Sequence, residues 1–264
     1  MNKIDFSKIS IVSHIRVDGR DRIENLVLRN TFFEKYCSNL EFVNVEDDVV
    51  RKIPRMNNEI YHLTENAGGY NKNLSYNIGF GLTNRPYVLF LDVDCVTDPN
   101  LLVKIANETN FLEEKIIYPY EYVYYLKQHI KDLFKKNINL ENLILSTKKT
   151  NKDRDNTDEN GRLFTGSCGG AIFTNKQNFI DVNGFNPNFT GWGYEDSEFR
   201  DRLDILGKRP IRLKHNILYH LPHGEHYTQR GKQTINAKHN KAEYDKVINM
   251  TREQCAEYTK TWKL

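Results

Sequence analysis

Five apolar residues, Tyr87 to Leu91 (YVLFL), run straight into Asp92, Val93 and Asp94. A strand without polar alternation has no face to give to water, so it belongs inside a sheet covered on both sides. The chain before it supplies such a sheet. Ile9 to Ser13 (ISIVS) is a short β-branched run, and Arg20 to Cys37 carries Ile23, Leu26, Val27, Phe32 and Phe33 at helical spacing. Leu40 to Val45 alternates as a strand and ends in Glu46, Asp47 and Asp48. Ile60 to Leu63 reads as a strand, Asn66 to Gly69 as a turn, and Lys72 to Leu82 as a helix. This β-α-β-α-β order predicts an α/β fold with a mostly parallel central sheet flanked by helices.

The second half is less regular. Ile116 to Tyr120 reads as a strand and Val123 to Phe134 as a helix. Lys148 to Gly161 is polar and charged, the composition of a surface loop or a lid. Gly170 to Thr174 and Ile217 to Leu221 read as strands, and Asp196 to Leu206 as an amphipathic helix stopped by Gly207. From Thr234 the chain is polar and helical, which sets residues 233–264 apart as a C-terminal helical extension.

A chain of 264 residues is long enough to bury one substantial core. Its net charge of +3 is too small for a nucleic-acid partner. Cys37, Cys95, Cys168 and Cys255 form no CxxC pair, which argues against a zinc knuckle and for a reduced, cytoplasmic setting. The N-terminus has no apolar leader core and no run is long enough to span a bilayer, so the expectation is neither a signal-directed secreted protein nor an integral membrane protein. Basic residues between Lys127 and Arg154 leave room for peripheral contact with an anionic membrane, although a charge run is usually a solvated face.

Two groups of residues carry chemistry. Ligands of open α/β sheets sit at the carboxyl ends of strands. Asp92 and Asp94 stand at such an end, and carboxylates one residue apart can share a hard divalent cation with its phosphate ligands. The same pattern, Asp92 to Thr97, also fits the nucleophile motif of haloacid-dehalogenase-type phosphatases, although those place it on the first strand. The second group is Gly191-Trp192-Gly193-Tyr194 followed by Glu195, Asp196 and Glu198. Glycines let the backbone approach a ligand, and Trp192 offers a flat apolar face with one N–H donor. Carboxylates at a helix start also serve as plain caps. Behind Gly-Trp-Gly and downstream of the aspartate pair, capping alone is an insufficient reason for them. Three histidines, His220, His223 and His226, follow the strand at Ile217.

In this order the segments are recognisable. GWGYEDSEF with the preceding VNGF resembles the carboxyl-terminal motif of animal galactosyltransferases and of bacterial chondroitin-polymerase-type transferases. NKNLSYNIGF (Asn71 to Phe80) before YVLFLDVD, and SHIRVDGRDRIENL (Ser13 to Leu26), are similar to the segments those families place around the donor nucleotide. The likeness extends from Ile9 to His226. The overall look is that of bacterial family-two-like transferases of capsule and surface-polysaccharide clusters.

The resemblance implies a GT-A fold over residues 1–232, with a nucleotide-binding half at 1–98 and an acceptor-binding half at 99–232. It implies transfer of a hexose or N-acetylhexosamine from a UDP-sugar to a glycan or lipid-linked oligosaccharide, with Mn²⁺ or Mg²⁺. Arg16, Arg20 and Asp47 would lie near the nucleotide, Lys72 and Asn77 by the diphosphate, and Asp92 and Val93 by the ribose and metal. Asp94 would bind the metal, with His220 or, failing it, His223. Asp196 would be the general base and Glu195 a hydrogen-bond partner of a sugar. Gly191, Trp192, Gly193 and Tyr194 would line the acceptor pocket. The chain departs from its relatives at Tyr194, where they usually have Gly, and lacks the proline common in their first loop. A nucleotide-sugar or glycan-binding protein without turnover, and a sugar nucleotidyltransferase, are the other readings of such a chain.

Overall fold

The computed structural model describes residues 3–16, 19–47, 53–55, 58–64, 70–108, 115–148, 150, 155–224 and 227–262, and only the backbone of 227–235. Asp48, the Asn66–Gly69 turn, Arg154 and His226 lie outside the described residues.

The N-terminal half runs β1 (Ile4–Asp5), β2 (Ile9–Ile15), α1 (Arg20–Tyr36), β3 (Cys37–Ser38), β4 (Glu41–Glu46), β5 (Glu59–Leu63), α2 (Lys72–Gly81) and β6 (Tyr87–Leu91). It continues through β7 (Cys95–Val96), α3 (Pro99–Asn107), β8 (Ile116–Tyr118), β9 (Tyr122–Leu126), α4 (Gln128–Lys136) and α5 (Leu140–Ser146). Then come β10 (Asn156–Thr157), β11 (Gly161–Thr165), β12 (Ala171–Asn175), α6 (Lys176–Asp181) and α7 (Glu195–Ile205). The chain closes with β13 (Ile211–Arg212), β14 (Ile217–His220), α8 (Tyr227–Ile248) and α9 (Arg252–Thr259).

The main sheet has the order β13-β8-β12-β6-β2-β4-β5. Its β6-β2-β4-β5 portion is parallel, as the unbroken apolar runs require, and all seven residues of β2 are buried. Beyond β6 the sheet turns mixed, because β12 runs antiparallel to both β6 and β8. A second sheet, β10-β11-β9-β14-β7, stands against it.

Aromatic residues join the sheet to the helices. Phe185, from the VNGF segment, packs edge-on against Phe90 of β6 (5.0 Å between centroids), on Phe199 of α7 (4.4 Å) and on Tyr76 of α2 (5.4 Å). Each buried ring of this kind contributes about 1.5–3 kcal/mol through burial. The cluster fixes the end of β6 relative to the starts of α2 and α7, the three places where the charged residues gather.

Two sequence expectations need correction. Val123 to Leu126 is strand rather than helix: the β-branched and aromatic run YVYYL pairs with both β11 and β14, and the helix starts only at Gln128. The polar segment before Gly161 is not wholly loop. Asn156 and Thr157 pair with β11, and Asp158 Oδ1 accepts from the Gly161 N–H (3.0 Å) and the Tyr124 hydroxyl (2.5 Å).

Candidate active site

Where β6 ends, the main chain is pinned from two sides. The Asp92 N–H donates to Gly170 O (2.9 Å), and the Leu221 N–H donates to Asp94 O (2.7 Å). Antiparallel pairing of β7 with β14 sets His220 opposite Cys95, beside Asp94. Strand register thus brings together residues more than 120 positions apart. His220 Nε2 lies 3.6 Å from Asp94 Oδ1, and His223 Nε2 lies 3.4 Å from Asp94 Oδ2. Arg22, on the first turn of α1, pairs with Asp94 Oδ2. Burial alone would raise the Asp94 pKa, but His220, Arg22 and His223 outweigh it and hold the carboxyl below its ordinary range. Burial lowers the pKa of His223, which favours the neutral imidazole that a metal ligand needs. Burial pushes the Cys95 thiol well up, so it stays protonated beside this group.

Across the same space stands the start of α7. Gly191 (φ 73°), Gly193 (φ 113°) and Tyr194 (φ 68°) all adopt left-handed backbone, which turns the chain sharply into the helix. A tyrosine in that region costs on the order of 1–3 kcal/mol and persists only where its surroundings hold it. Here the Gly193 N–H donates to Glu195 Oε2 (2.7 Å). Asp196 Oδ1 accepts from Lys72 Nζ (2.8 Å), the first residue of α2, and Glu195 Oε1 lies 3.7 Å from the same ammonium. A Cβ at Gly169 would sit 2.1 Å from Asp196 Oδ2, so any larger residue there must displace the carboxylate.

Asp196 keeps 30 % of its side chain exposed to this space. Burial raises its pKa to about 7 against the pull of Lys72, and the neighbouring Glu195 and Asp92 add to the rise. Burial disfavours the charge on Lys72, yet Asp196, Asp92 and Glu195 overcome it and raise that pKa well above its ordinary value.

Both groups line one cavity of about 980 Å³, which takes in Asp92, Val93, Asp94, His220 and His223 on one side and Glu195 and Asp196 on the other. Arg16, Lys72, Trp192, Gly193 and Tyr194 line it too. Trp192 presents its ring at 62 % exposure.

Some expected residues fall elsewhere. Asn77 does not reach the cavity: its amide donates to Phe185 O (2.8 Å) and accepts from the Phe185 N–H (2.9 Å), a tie between α2 and the VNGF turn. Arg20 is exposed at the helix start, and Arg22, two residues on, takes the inward place. Asp47 sits behind the wall, where it accepts from the Asn71 N–H (3.2 Å), with His14 Nε2 at 2.9 Å and Arg16 at 3.5 Å. Its two basic neighbours, His14 and Arg16, both line the cavity. Gly191 is a backbone anchor, donating to Tyr70 O (2.6 Å). Glu198, grouped with the acidic cluster in the sequence, is fully buried against Arg202 (2.7 Å).

Residues the sequence did not single out include His14, Arg22, Tyr125 and Tyr76. Tyr76 donates to Asp92 Oδ1 (2.5 Å), and Tyr125 lines the cavity with its ring 4.6 Å from that of His220. His14 and Arg22 lie inside the first-loop segment, but without strand and helix phase nothing marks them as inward-facing. Tyr125 was hidden by the helical reading of its strand.

A partly parallel sheet with an acidic pair at its carboxyl edge, facing an acidic helix start over one cavity, defines a GT-A glycosyltransferase. The chain belongs to the glycosyltransferase-like family 2, whose profile matches residues 10–245. That membership removes the phosphatase reading, whose motif also belongs on a first strand rather than on β6. Among solved structures the chain is similar to GalNAc-T7 in complex with UDP, GalNAc and Mn²⁺, with a TM-score of 0.52 and 13 % identity over 83 % of this chain and 44 % of that one. It is also similar to the catalytic domain of Drosophila β1,4-galactosyltransferase 7 with xylobiose, at TM-score 0.45 and 13 % identity over 86 % and 79 % of the two chains. A mutant of that enzyme with manganese, UDP-Gal and xylobiose matches at 12 % identity over 85 % and 78 %, also with a TM-score of 0.45. No curated protein matches the chain. Among the described residues no helix is long and apolar enough to cross a membrane.

Proposed function

We propose that this glycosyltransferase moves a hexose or N-acetylhexosamine from a UDP-sugar to a glycan acceptor, inverting the anomeric centre, with Mn²⁺ or Mg²⁺ as cofactor. The observation that carries the reading is the single cavity between Asp94, His220 and His223 on one side and Asp196 on the other. The donor set fits a divalent ion. Ligand atoms held about 2.1 Å from one ion lie roughly 3 Å from each other, close to the 3.4 and 3.6 Å separations of the two imidazoles from Asp94. Imidazole with carboxylate and phosphate oxygen suits Mn²⁺ first. The solved complex of GalNAc-T7 contains UDP, GalNAc and Mn²⁺, which supports the same donor chemistry here.

When bound, the ion supplies positive charge to the leaving diphosphate. The rest falls to the chain. Arg16 and Lys72 add cationic donors along the donor wall. Asp196, with a pKa of about 7, takes the proton of the acceptor hydroxyl as it attacks the anomeric carbon. Glu195 stays with the Gly193 N–H and Lys72 and shapes the floor. Trp192 gives the acceptor a flat apolar face. Direct displacement converts an α-linked donor into a β-linked product.

The sequence resemblance to capsule and surface-polysaccharide transferases supports a role in bacterial polysaccharide synthesis, on the cytoplasmic side. Exposed Leu133, Ile144 and Leu145 with Lys127, Lys135 and Lys136 on and beside α4 and α5 support peripheral contact with an anionic membrane bearing a lipid-linked acceptor. Sedimentation with anionic but not neutral vesicles checks that contact, and equal recovery with both rejects it. The central test is hydrolysis of a panel of UDP-sugars with Mn²⁺ or with chelator. Metal-dependent release of UDP from at least one donor is expected. Absence of release from every donor, in protein that is folded, rejects the reading in favour of a binding protein.

A further inference from the structure

Helix α8 presents a polar stripe at a spacing of four residues, Asn236, Asn240 and Tyr244, and that stripe meets the Gly-Trp-Gly turn. Asn240 is fully buried. Its Oδ1 accepts from the Thr190 N–H (3.2 Å), and its Nδ2 donates to both Thr190 O (3.0 Å) and Gly193 O (3.0 Å). One side-chain amide therefore clasps both ends of the turn that carries Trp192. Asn236 backs Gly191 so closely that a Cβ there would lie 2.5 Å from its Nδ2. The ring of Tyr244 packs on that of Tyr194 (5.4 Å).

We infer that Asn240 is a positioning residue for acceptor binding, and that α8 is part of the acceptor site rather than an appendage to the catalytic domain; this rests on the proposed role of the cavity. Gly191 and Gly193 adopt their left-handed backbone freely, but Tyr194 is strained there and needs its surroundings to hold it. Trp192 is mostly exposed, so contacts of its own ring do not set its direction. The backbone around it does, and Asn240 fixes that backbone. The same clasp leads directly into Glu195 and Asp196, so the acceptor platform and the base keep one spacing. An Asn buried for core satisfaction alone would bond wherever the core left a gap. Asn240 instead spends its amide on Thr190 and Gly193, the two ends of the turn, and Gly193 lines the cavity beside Trp192.

The test uses full-length protein labelled with 5-fluorotryptophan, which gives one ¹⁹F signal each for Trp192 and Trp262, assigned with Trp192→Phe. Asn240→Ala removes the clasp. Asn240→Asp keeps the acceptor toward the Thr190 N–H but turns repulsive toward Thr190 O and Gly193 O, and it serves should the alanine variant fail to fold. The Trp192 signal is expected to shift or broaden while that of Trp262 stays in place. UDP affinity with Mn²⁺, measured by calorimetry, stays within about twofold, whereas transfer from UDP-galactose or UDP-N-acetylgalactosamine to a panel of methyl β-glycosides falls at least about tenfold. An unmoved Trp192 signal in a folded variant overturns the inference. So does a parallel loss of UDP affinity with movement of both tryptophan signals, since that marks a merely structural residue. Wild-type protein that transfers to no acceptor would undermine the proposed function, while the Trp192 signal still decides whether Asn240 sets the turn.

Discussion

Lys72 Nζ and Asp196 Oδ1 stand 2.8 Å apart where two helices begin. A carboxylate belongs at a helix start, but a cation there opposes the helix dipole. Lys72 is the first residue of α2 and is buried, so its placement costs stability unless the carboxylates opposite hold it. The pair also ties the donor wall to the base. Lys72 lowers the pKa of Asp196, which burial has raised to about 7. A base works only when deprotonated, so activity is expected to fall as pH drops through 7 and to level off above it. Removing the ammonium in Lys72→Met raises the Asp196 pKa further, and the acid limb of the kcat/KM profile then moves to higher pH. An unmoved limb would show that the titrating group is not Asp196.

Asp196→Asn keeps the shape of the side chain and removes its basicity. Transfer is expected to fall by about 10²–10⁴-fold, the usual contribution of a general base, with UDP and Mn²⁺ binding retained. Stopped-time assays beside calorimetry separate the two effects. Wild-type turnover in the folded variant would reassign the base.

Gly169 tests the same carboxylate by space rather than charge. Its φ lies outside the left-handed region, so alanine is acceptable to the backbone, but the new Cβ would meet Asp196 Oδ2 at 2.1 Å. Gly169→Ala is expected to displace the carboxylate and lower kcat by at least about tenfold with little change in Tm. In an Asp196→Ala background the same substitution should add almost nothing, because the atom it strikes is gone. Additive losses would place the effect of Gly169 elsewhere.

His220→Ala and His223→Ala separate the two imidazoles that approach Asp94. Loss of a ligand is expected to weaken Mn²⁺ by more than about tenfold, since even outer partners of a metal site contribute that much. Asp94→Asn should do the same. Titration of Mn²⁺ followed by water-proton relaxation reads this directly. Full affinity in His223→Ala with loss in His220→Ala would leave His220 as the sole imidazole ligand.

How much of this was legible in the chain depends on which contacts are local. YVLFL followed by Asp92 declares a buried strand with carboxylates at its end, because burial on both faces leaves no polar alternation. Gly-Trp-Gly before Glu195 and Asp196 declares a turn into a helix. Both expectations match the strands and helices observed. Tyr125 was not legible, because a run of tyrosines and valine beside a helical segment suits either period until β11 and β14 pair with it. The family resemblance set Asn77 by the diphosphate together with Lys72, but its phase on α2 turns it toward Phe185. Asn240 was invisible for a different reason. A polar residue in a polar helix has no local signal, and its meaning comes from a turn some fifty residues earlier in the chain, at Thr190.

Glu198 follows Asp196 by two residues and belongs to the fold rather than the chemistry. Glu198 and Arg202 are both fully excluded from water, 2.7 Å apart, and Arg202 also donates to Val182 O (2.8 Å) and Gly184 O (2.7 Å). The guanidinium thus holds the turn before Phe185 as well as the carboxylate. Removing one partner of a buried pair typically costs about 3–5 kcal/mol, because the other charge is left without compensation. Arg202→Met is therefore expected to lower Tm by about 10 °C in a protein of this size. The loss should depend on pH. Burial raises the Glu198 pKa and Arg202 lowers it, so without Arg202 the folded carboxyl binds its proton more tightly than the unfolded one. An acid of that kind destabilises the fold as pH rises from its unfolded pKa toward its folded one. The variant should accordingly lose more stability at pH 8 than at pH 5, by thermal melts at both. Turnover per folded molecule should change far less than in Asp196→Asn, and an equal loss of turnover at full stability would return Glu198 and its partner to the active site.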